Sequence, residues 1–224
     1  MENTCYMCNA TYEGREHVPP LCFFPEEKDI SGSNYRKKLI TVPSCALHNT
    51  AKSKDDEYLL FCILSHFNNN NIAIEQFKTK AVRALKRRPS LASFFNNRRR
   101  VLLKDNATFA YKIDTERFEK VMMQIVKGLY FHKYNEKWLN EIVIHTTAIF
   151  QIDSPNYVNI CKGKTGLEQF VYKVFANSTK NGENQDIFWY QISADKSNAF
   201  LCTNMMFYGG FNIIALSHPD LLIK

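Results

Sequence analysis

The sequence predicts an α+β protein, and three observations along its 224 residues support that class. A loop-rich N-terminal stretch carries closely spaced pairs of cysteine and histidine. Two later segments repeat apolar residues with the period of a helix. The C-terminal half contains runs rich in Val, Ile, Phe and Tyr, which are typical of strands. We therefore expect a small module over 1–57, a basic helical connector over 58–104, and a C-terminal α+β domain with an antiparallel sheet over 105–224.

The N-terminal module has little apolar sequence with which to build a core of its own. Glycines and prolines interrupt it at Gly14, Pro19, Pro20, Pro25, Gly32 and Pro43. Lys38 to Val42 is predicted to be a short strand that ends at Pro43. A helix is predicted to begin at Asp55-Asp56-Glu57, since acidic residues suit the first turn of a helix.

The predicted connector combines a helix with a high positive charge. Over 72–88 the predicted buried stripe is Ile74, Phe77, Ala81 and Leu85, and another face carries Lys80, Arg83 and Arg87. Pro89 should end this helix, because proline cannot continue the hydrogen-bond pattern. Arg98, Arg99 and Arg100 form a second basic cluster further along.

The C-terminal half alternates between strand and helix patterns. Residues 108–113 are predicted to be a strand and 114–134 a helix. Further strands are predicted within the apolar runs 142–150, 169–176, 186–193 and 199–216. Gly209-Gly210 lies between two apolar runs and predicts a hairpin turn.

The net charge of +7 is concentrated in one segment. Residues 72–104 contain ten basic residues and one acidic residue, whereas 1–55 and 105–224 are each balanced, with seven and twelve residues of either sign. Such a local block favours a polyanionic partner. The alternative interpretation is a solvated helix face.

The cysteine pattern predicts a metal centre. Cys5-x-x-Cys8 is followed, 36 residues later, by Cys45-x-x-His48. Two ligand pairs of this kind usually build a closed tetrahedral zinc site, and a closed site is structural because no position is open to substrate. A zinc ribbon that only shapes a loop is the alternative.

Nothing in the sequence suggests export or membrane insertion. No apolar run approaches the ~20 residues of a membrane helix, and MENTCYMCN lacks the basic start and apolar stretch of a signal peptide. The other cysteines, which are Cys22, Cys62, Cys161 and Cys202, are scattered and are expected to be free thiols. We expect a cytoplasmic protein without a membrane partner.

Further residues lie in a recognisable order around the two pairs. Glu16-His17 with Pro19 falls between them, and Asn49 directly follows His48, with Lys52-Ser53 soon after. This arrangement resembles the zinc-containing HNH (ββα-metal) endonucleases over residues 5–57. The chain departs from the family pattern at two positions. Glu16 replaces the commoner aspartate, and Ile40 stands where the middle asparagine is expected.

The resemblance implies a metal-dependent endonuclease that cleaves DNA and leaves a 5′-phosphate and a 3′-hydroxyl. His17 would be the general base, and Glu16 with Asn49 would hold one hydrated Mg²⁺ or a similar ion. Lys52 would contact a phosphate, while Cys5, Cys8, Cys45 and His48 would hold structural zinc. Free-standing HNH proteins with an unrelated tail are often effectors of antiviral defence against phage or nucleases of mobile elements, which is an analogy with the family.

Two alternatives to a DNA endonuclease remain open. The first is a non-catalytic, zinc-stapled nucleic-acid binder in which Glu16 and His17 are structural. The second is an RNase that uses the same site. In each case the basic residues are expected to contact phosphates: Lys80, Arg83, Arg87, Arg98, Arg99 and Arg100. The remaining histidines, such as His132, are expected to be structural. The C-terminal domain is expected to control the nuclease, through a protein partner or self-association, rather than to supply chemistry.

Overall fold

A computed structural model of the protein describes residues 3–30, 32–87, 98–103, 106–146, 148–149 and 157–218. Near its N-terminus β1 (Gly14–His17) pairs with β2 (Thr41–Ser44) in an antiparallel hairpin, and α1 (Ser53–Leu64) follows. β2 begins later than the predicted strand and includes Pro43. Proline is tolerated there because each strand of a two-stranded hairpin is an edge strand.

The predicted second helix is confirmed, with an irregular middle. It consists of α2 (Asn71–Gln76), a π turn over Phe77–Ala81, and α3 (Val82–Arg87). Of the predicted stripe, Ala81 is buried, and Phe77 and Leu85 are partly buried against the core. The Ile74 side chain is exposed, and the buried residues of this stretch are Ala73, Gln76, Ala81 and Ala84.

The predicted connector is not helical throughout. β3 (Arg98–Leu103) pairs with β4 (Asn106–Tyr111) in a second antiparallel hairpin, so the basic Arg98–Arg100 cluster lies in a strand. Pro89 and the rest of 88–97 lie outside the described residues.

The C-terminal half contains two helices and a four-stranded sheet. These are α4 (Thr115–Tyr134), β5 (Val143–His145), α5 (Tyr157–Val174), β6 (Phe188–Asp195), β7 (Phe200–Phe207) and β8 (Phe211–Ser217). The strand order is β5-β8-β7-β6 and every pair is antiparallel, which confirms the α+β class. The predicted turn at Gly209-Gly210 joins β7 to β8.

The strand predicted over 169–176 is wrong, because those residues end α5 and the turn after it. Leu167, Val171 and Phe175 recur at intervals of four and pack on Cys202, Ile214 and Leu216 of the sheet. Phe170 and Tyr172 point away and are 47% and 77% exposed. The segment has the composition of a strand and the spacing of an amphipathic helix, and the spacing prevails.

The sheet lies between two layers. α5 covers one face, while the other face, with Leu201, Met205 and Ile213, belongs to a core shared with α1, α4 and the β1–β2 hairpin. This single core runs from Cys5 to Ala215. It therefore crosses the predicted boundaries at residues 57 and 104. In the described part of the chain, no helix has the length and apolar character to cross a membrane.

Candidate active site and metal centre

Cys5, Cys8, Cys45 and His48 lie together, as their spacing predicts. Their ligand atoms are all within 4.8 Å of one another. The Cys8 and Cys45 sulfurs are 3.8 Å apart, and His48 Nδ1 lies 3.3–3.6 Å from the three sulfurs. A tetrahedron with Zn–S near 2.3 Å and Zn–N near 2.0 Å has edges of about 3.8 Å between sulfurs and about 3.5 Å from sulfur to nitrogen. The four side chains can thus hold a structural metal such as zinc.

Backbone hydrogen bonds place the two ligand pairs. The Cys5 N–H donates to Ala10 O at 2.9 Å and closes the first turn, while a 3₁₀ turn over Ala46–His48 presents the second pair. The Tyr6 N–H donates to Pro43 O at 2.9 Å, which ties the first turn to β2. Burial alone would raise the pKa of Cys5, but backbone N–H groups, first that of Met7, hold it below its usual value and favour the thiolate that binds metal.

The first turn is also held by the C-terminal half. The Lys137 ammonium donates to Cys8 O at 2.8 Å and to Thr4 Oγ1 at 2.9 Å. These bonds join residues 129 and 133 positions apart, directly beside a ligand of the metal group. The sequence shows no signal for this contact.

Glu16 and His17 point to opposite faces of the hairpin. In the β1–β2 register Glu16 lies opposite Val42 and His17 opposite Thr41. Successive side chains of a strand alternate between faces, so Glu16 is buried while His17 is half-exposed. The Arg15 side chain, on the same face as His17, donates to Thr41 Oγ1 and Thr41 O at 2.8 Å each. These bonds brace the end of the strand that carries His17.

His17 has the protonation state that a base requires. Burial, and then the positive charge of Arg36, lowers the pKa of its imidazole. A pKa below the ordinary value of about 6.5 leaves the ring neutral at pH 7. Among the residues that the structure describes, none forms a hydrogen bond with this ring. Ile40, at the position of the family's missing asparagine, accepts a hydrogen bond from the Val18 N–H at 3.0 Å and so fixes the backbone after His17.

Asn49 lies beside β1. Its amide nitrogen donates to Arg15 O at 3.3 Å, immediately before Glu16 and His17 in the chain. The residue has φ −118° and ψ −83°, between the turn of the metal group and the turn that leads into α1. The structure therefore brings the Cys45–Asn49 segment next to the Glu16-His17 dipeptide.

Glu16 forms part of a buried charge cluster. The Lys52 ammonium lies 2.8 Å from Glu16 Oε1 and 2.8 and 2.9 Å from the two oxygens of Asp56. The Lys52 side chain is only 4% exposed, so it does not present its charge to an external phosphate as we predicted. Burial raises the pKa of Glu16 and of Asp56, and the Lys52 charge opposes the shift in both. Asp56 is a member of the cluster that the sequence did not identify.

The predicted phosphate-binding residues are divided between two environments. Lys80 donates to Cys22 O at 2.6 Å, and Arg83 pairs with Asp29, whose side chain is fully buried. Both basic groups thus hold the loop between β1 and β2. Arg87 is exposed at the end of α3, and Arg98 and Arg100 are exposed in β3, where Arg99 lies between them.

No family model, curated protein or solved structure matches this chain. The resemblance to the HNH endonucleases therefore depends on the residues themselves and on their arrangement in space.

Proposed function

We propose that this protein is a metal-dependent endonuclease that hydrolyses phosphodiester bonds of DNA. One observation carries the proposal. A hairpin followed by a helix, β1–β2–α1, holds Glu16-His17 on its first strand and Asn49 beside that strand. The Cys3His group at its base joins the two segments. This is the order of parts that the resemblance to ββα-metal nucleases implies.

His17 is the proposed general base. The neutral imidazole accepts a proton from a water molecule, whose oxygen attacks the phosphorus. The bond from phosphorus to the 3′ oxygen breaks, and that oxygen takes a proton from solvent. The products are a 5′-phosphate and a 3′-hydroxyl. The bracing of β1 by Arg15 and Thr41 fixes the strand end from which His17 acts.

Glu16 and Asn49 are the proposed ligands of the divalent ion. Two buried carboxylates, Glu16 and Asp56, share the single ammonium of Lys52, so the cluster has one negative charge more than its own cation balances when both acids are ionised. An excess of buried negative charge suits a cation, and oxygen ligands suit Mg²⁺. When bound, such an ion stabilises charge on the phosphoryl and leaving oxygens.

The test is cleavage of supercoiled plasmid by the full chain with and without Mg²⁺. His17→Ala should lower the rate by about 10²–10⁴-fold, the usual contribution of a general base. His218→Ala is a matched control, since His218 follows β8 at the end of the β7–β8 hairpin away from the turn that meets the N-terminal module. Metal content and circular dichroism should be unchanged in both variants. Wild-type cleavage by His17→Ala would contradict the role of His17.

The pH dependence of the cleavage rate is a second test of the role of His17. Only neutral imidazole can act as the base, so the rate should rise with pH through the His17 pKa. Burial and Arg36 lower that pKa, so the midpoint should lie below about 6.5. A midpoint above that value would contradict the assignment.

A second candidate is a non-catalytic nucleic-acid binder. The ion pair between Lys52 and Glu16 favours it, because a carboxylate engaged by lysine is less available to a metal ion. Binding without cleavage of plasmid, single-stranded DNA or RNA would support this alternative. Cleavage of RNA alone would identify an RNase that uses the same site.

A further inference from the structure

The outer face of the β1–β2 hairpin carries an arginine beside the proposed base. Side chains of a strand alternate between its two faces, so Arg15 and His17 share one face and the buried Glu16 lies on the other. In the register of the hairpin, Arg15 lies opposite Pro43 and His17 lies opposite Thr41. Arg15 is exposed on this face, so its side chain is accessible to a ligand.

The hydrogen bonds of Arg15 direct its guanidinium towards the position of His17. Nε donates to Thr41 Oγ1 and Nη2 donates to Thr41 O, each at 2.8 Å. The side chain therefore extends diagonally across the hairpin, past Pro43, to the residue that lies opposite His17. Cβ atoms of directly opposed residues are only about 4.5–5.5 Å apart. The guanidinium is thus held at the side chain that neighbours the proposed base.

The two bonds to Thr41 use only part of the donor capacity of this guanidinium. The group has five N–H donors and no acceptor. Nε and Nη2 form one edge of the planar group, and each donates one N–H to Thr41. The outer end retains one N–H on each Nη atom, and these two N–H groups are parallel. Such a parallel pair matches two oxygens of a phosphate.

The charge of Arg15 is not neutralised by a carboxylate within the part of the chain that the structure describes. Three other arginines form ion pairs there, which are Arg36 with Glu26, Arg83 with Asp29 and Arg117 with Asp55. Because Thr41 already holds the Arg15 side chain, an anion that binds it pays little of the usual cost of ordering a long side chain. Arg15 is therefore a fixed cation suited to an anionic ligand.

The backbone of Arg15 contacts the second segment of the proposed site. The Asn49 amide nitrogen donates to Arg15 O at 3.3 Å. Arg15 thus touches a proposed ligand of the divalent ion, and through Thr41 it neighbours His17. A phosphate that both of these groups act on lies in the neighbourhood of the Arg15 side chain.

We propose that Arg15 is a further catalytic residue, which binds the scissile phosphate through the two N–H groups at the outer end of its guanidinium while Thr41 holds the other edge. This inference rests on the proposed function and deepens it. The guanidinium holds the phosphorus in front of the water that His17 activates, and it stabilises the charge that develops on the phosphoryl oxygens. Arg15 takes the role predicted for Lys52, whose ammonium is buried.

The first experiment measures binding of a short DNA duplex at several salt concentrations, in full-length His17→Ala protein so that the duplex stays uncut. Adding Arg15→Gln should weaken binding and lower the slope of log K against log salt by about 0.9, the value for one phosphate contact. The matched control is Lys173→Gln, because Lys173 is exposed on α5, on the opposite side of the sheet from the hairpin. Its slope should not change.

The second experiment separates phosphate binding from bracing of the hairpin, by single-turnover cleavage at saturating protein. Arg15→Lys keeps the charge but has no parallel pair of N–H groups, so its rate should fall by about 10²–10³-fold, the usual loss for a donor to a developing oxyanion. Thr41→Val removes the Oγ1 acceptor, but Thr41 O can still hold Nη2, so its rate should fall less. Metal content and circular dichroism identify the folded variants. If Arg15→Gln does not fold, the rate of Arg15→Lys decides.

The outcomes separate this inference from the proposed function. An unchanged slope in Arg15→Gln, or an equal loss in Lys173→Gln, overturns the phosphate contact. A wild-type rate in Arg15→Lys, or an equal loss in Thr41→Val, overturns the catalytic role, and cleavage that depends on His17 would still support the proposed function. A slope loss specific to Arg15 supports the phosphate contact even if the wild-type protein cleaves nothing, and then the proposals of catalysis fail. Absence of binding to both the duplex and single-stranded RNA overturns both.

Discussion

The contact between Gly128 and Val18 yields a prediction about how the two halves of the chain are joined. Replacing Gly128 by alanine places a methyl group at 2.7 and 3.0 Å from the two γ carbons of Val18. Val18 is 3% exposed, and its β-branched side chain has little freedom to rotate away. The new methyl group must therefore displace the helix, the hairpin or both.

Two opposing terms set the change in the free energy of unfolding caused by Gly128→Ala. Glycine to alanine inside a helix stabilises by about 1 kcal/mol where the new methyl group is free. Overpacking of a buried site costs about 1–3 kcal/mol. Their sum for Gly128→Ala lies between neutrality and a loss of about 2 kcal/mol. In a Val18→Ala background the obstructing methyl groups are gone, so the same change should stabilise by about 1 kcal/mol.

The assay is denaturant unfolding of four proteins: the wild type, Gly128→Ala, Val18→Ala and the double variant, which together form a double-mutant cycle. The concentration of free zinc is held constant, because a bound metal shifts the apparent stability. Val18→Ala alone should cost about 2 kcal/mol for two buried methyl groups and the space they leave. The reasoning is refuted if Gly128→Ala stabilises by about 1 kcal/mol in both backgrounds. That result would mean that α4 does not pack on the hairpin beside His17.

Two further predictions concern the metal group and the charge cluster. Zinc should be present at one ion per chain and be lost in Cys5→Ala, which elemental analysis of the purified proteins measures; full retention in the variant would show that Cys5 is not a ligand. Lys52→Met should destabilise the protein by about 3–5 kcal/mol, because it leaves Glu16 and Asp56 buried without their cation. Lys54→Met, at an exposed position, should change the unfolding free energy by less than about 0.5 kcal/mol, and equal stability of the two variants would contradict the buried cluster.

Features encoded by spacing were predictable from the sequence. The x-x spacing within each ligand pair suits a turn, and the four side chains lie together as the two pairs predict. α4 begins after Asp114, whose side chain accepts the Arg117 N–H, and buries an amphipathic face that includes Phe118 and Met122. The β7–β8 hairpin follows from two glycines between apolar runs. Each of these signals is local, so no knowledge of the tertiary fold is required.

Features that depend on tertiary partners were not predictable. The positive charge of the connector predicted a phosphate-binding face, but Lys80 and Arg83 bind the loop between β1 and β2 instead. A count of charges contains no information about which carbonyl or carboxylate lies opposite each side chain. Lys52 is a different case, because it was assigned to a phosphate although a local partner, Asp56 one helical turn later, accepts its hydrogen bonds. The sequence spacing of four was a signal for that pair.

The shared core bears on how the role of the C-terminal half can be tested. We predicted that residues 105–224 control the nuclease without supplying chemistry, by binding a partner, packing against the N-terminal module or forming an oligomer. The structure shows contacts with the N-terminal module: Tyr208 of the β7–β8 turn donates to Phe23 O, and Lys137 holds the first turn of the metal group. Truncation would expose the surfaces beneath these contacts, so loss of activity in a truncated protein would not distinguish regulation from unfolding. A single substitution in the full chain, Gly128→Ala, tests how the two halves dock without truncation, because it leaves the core sequence otherwise intact.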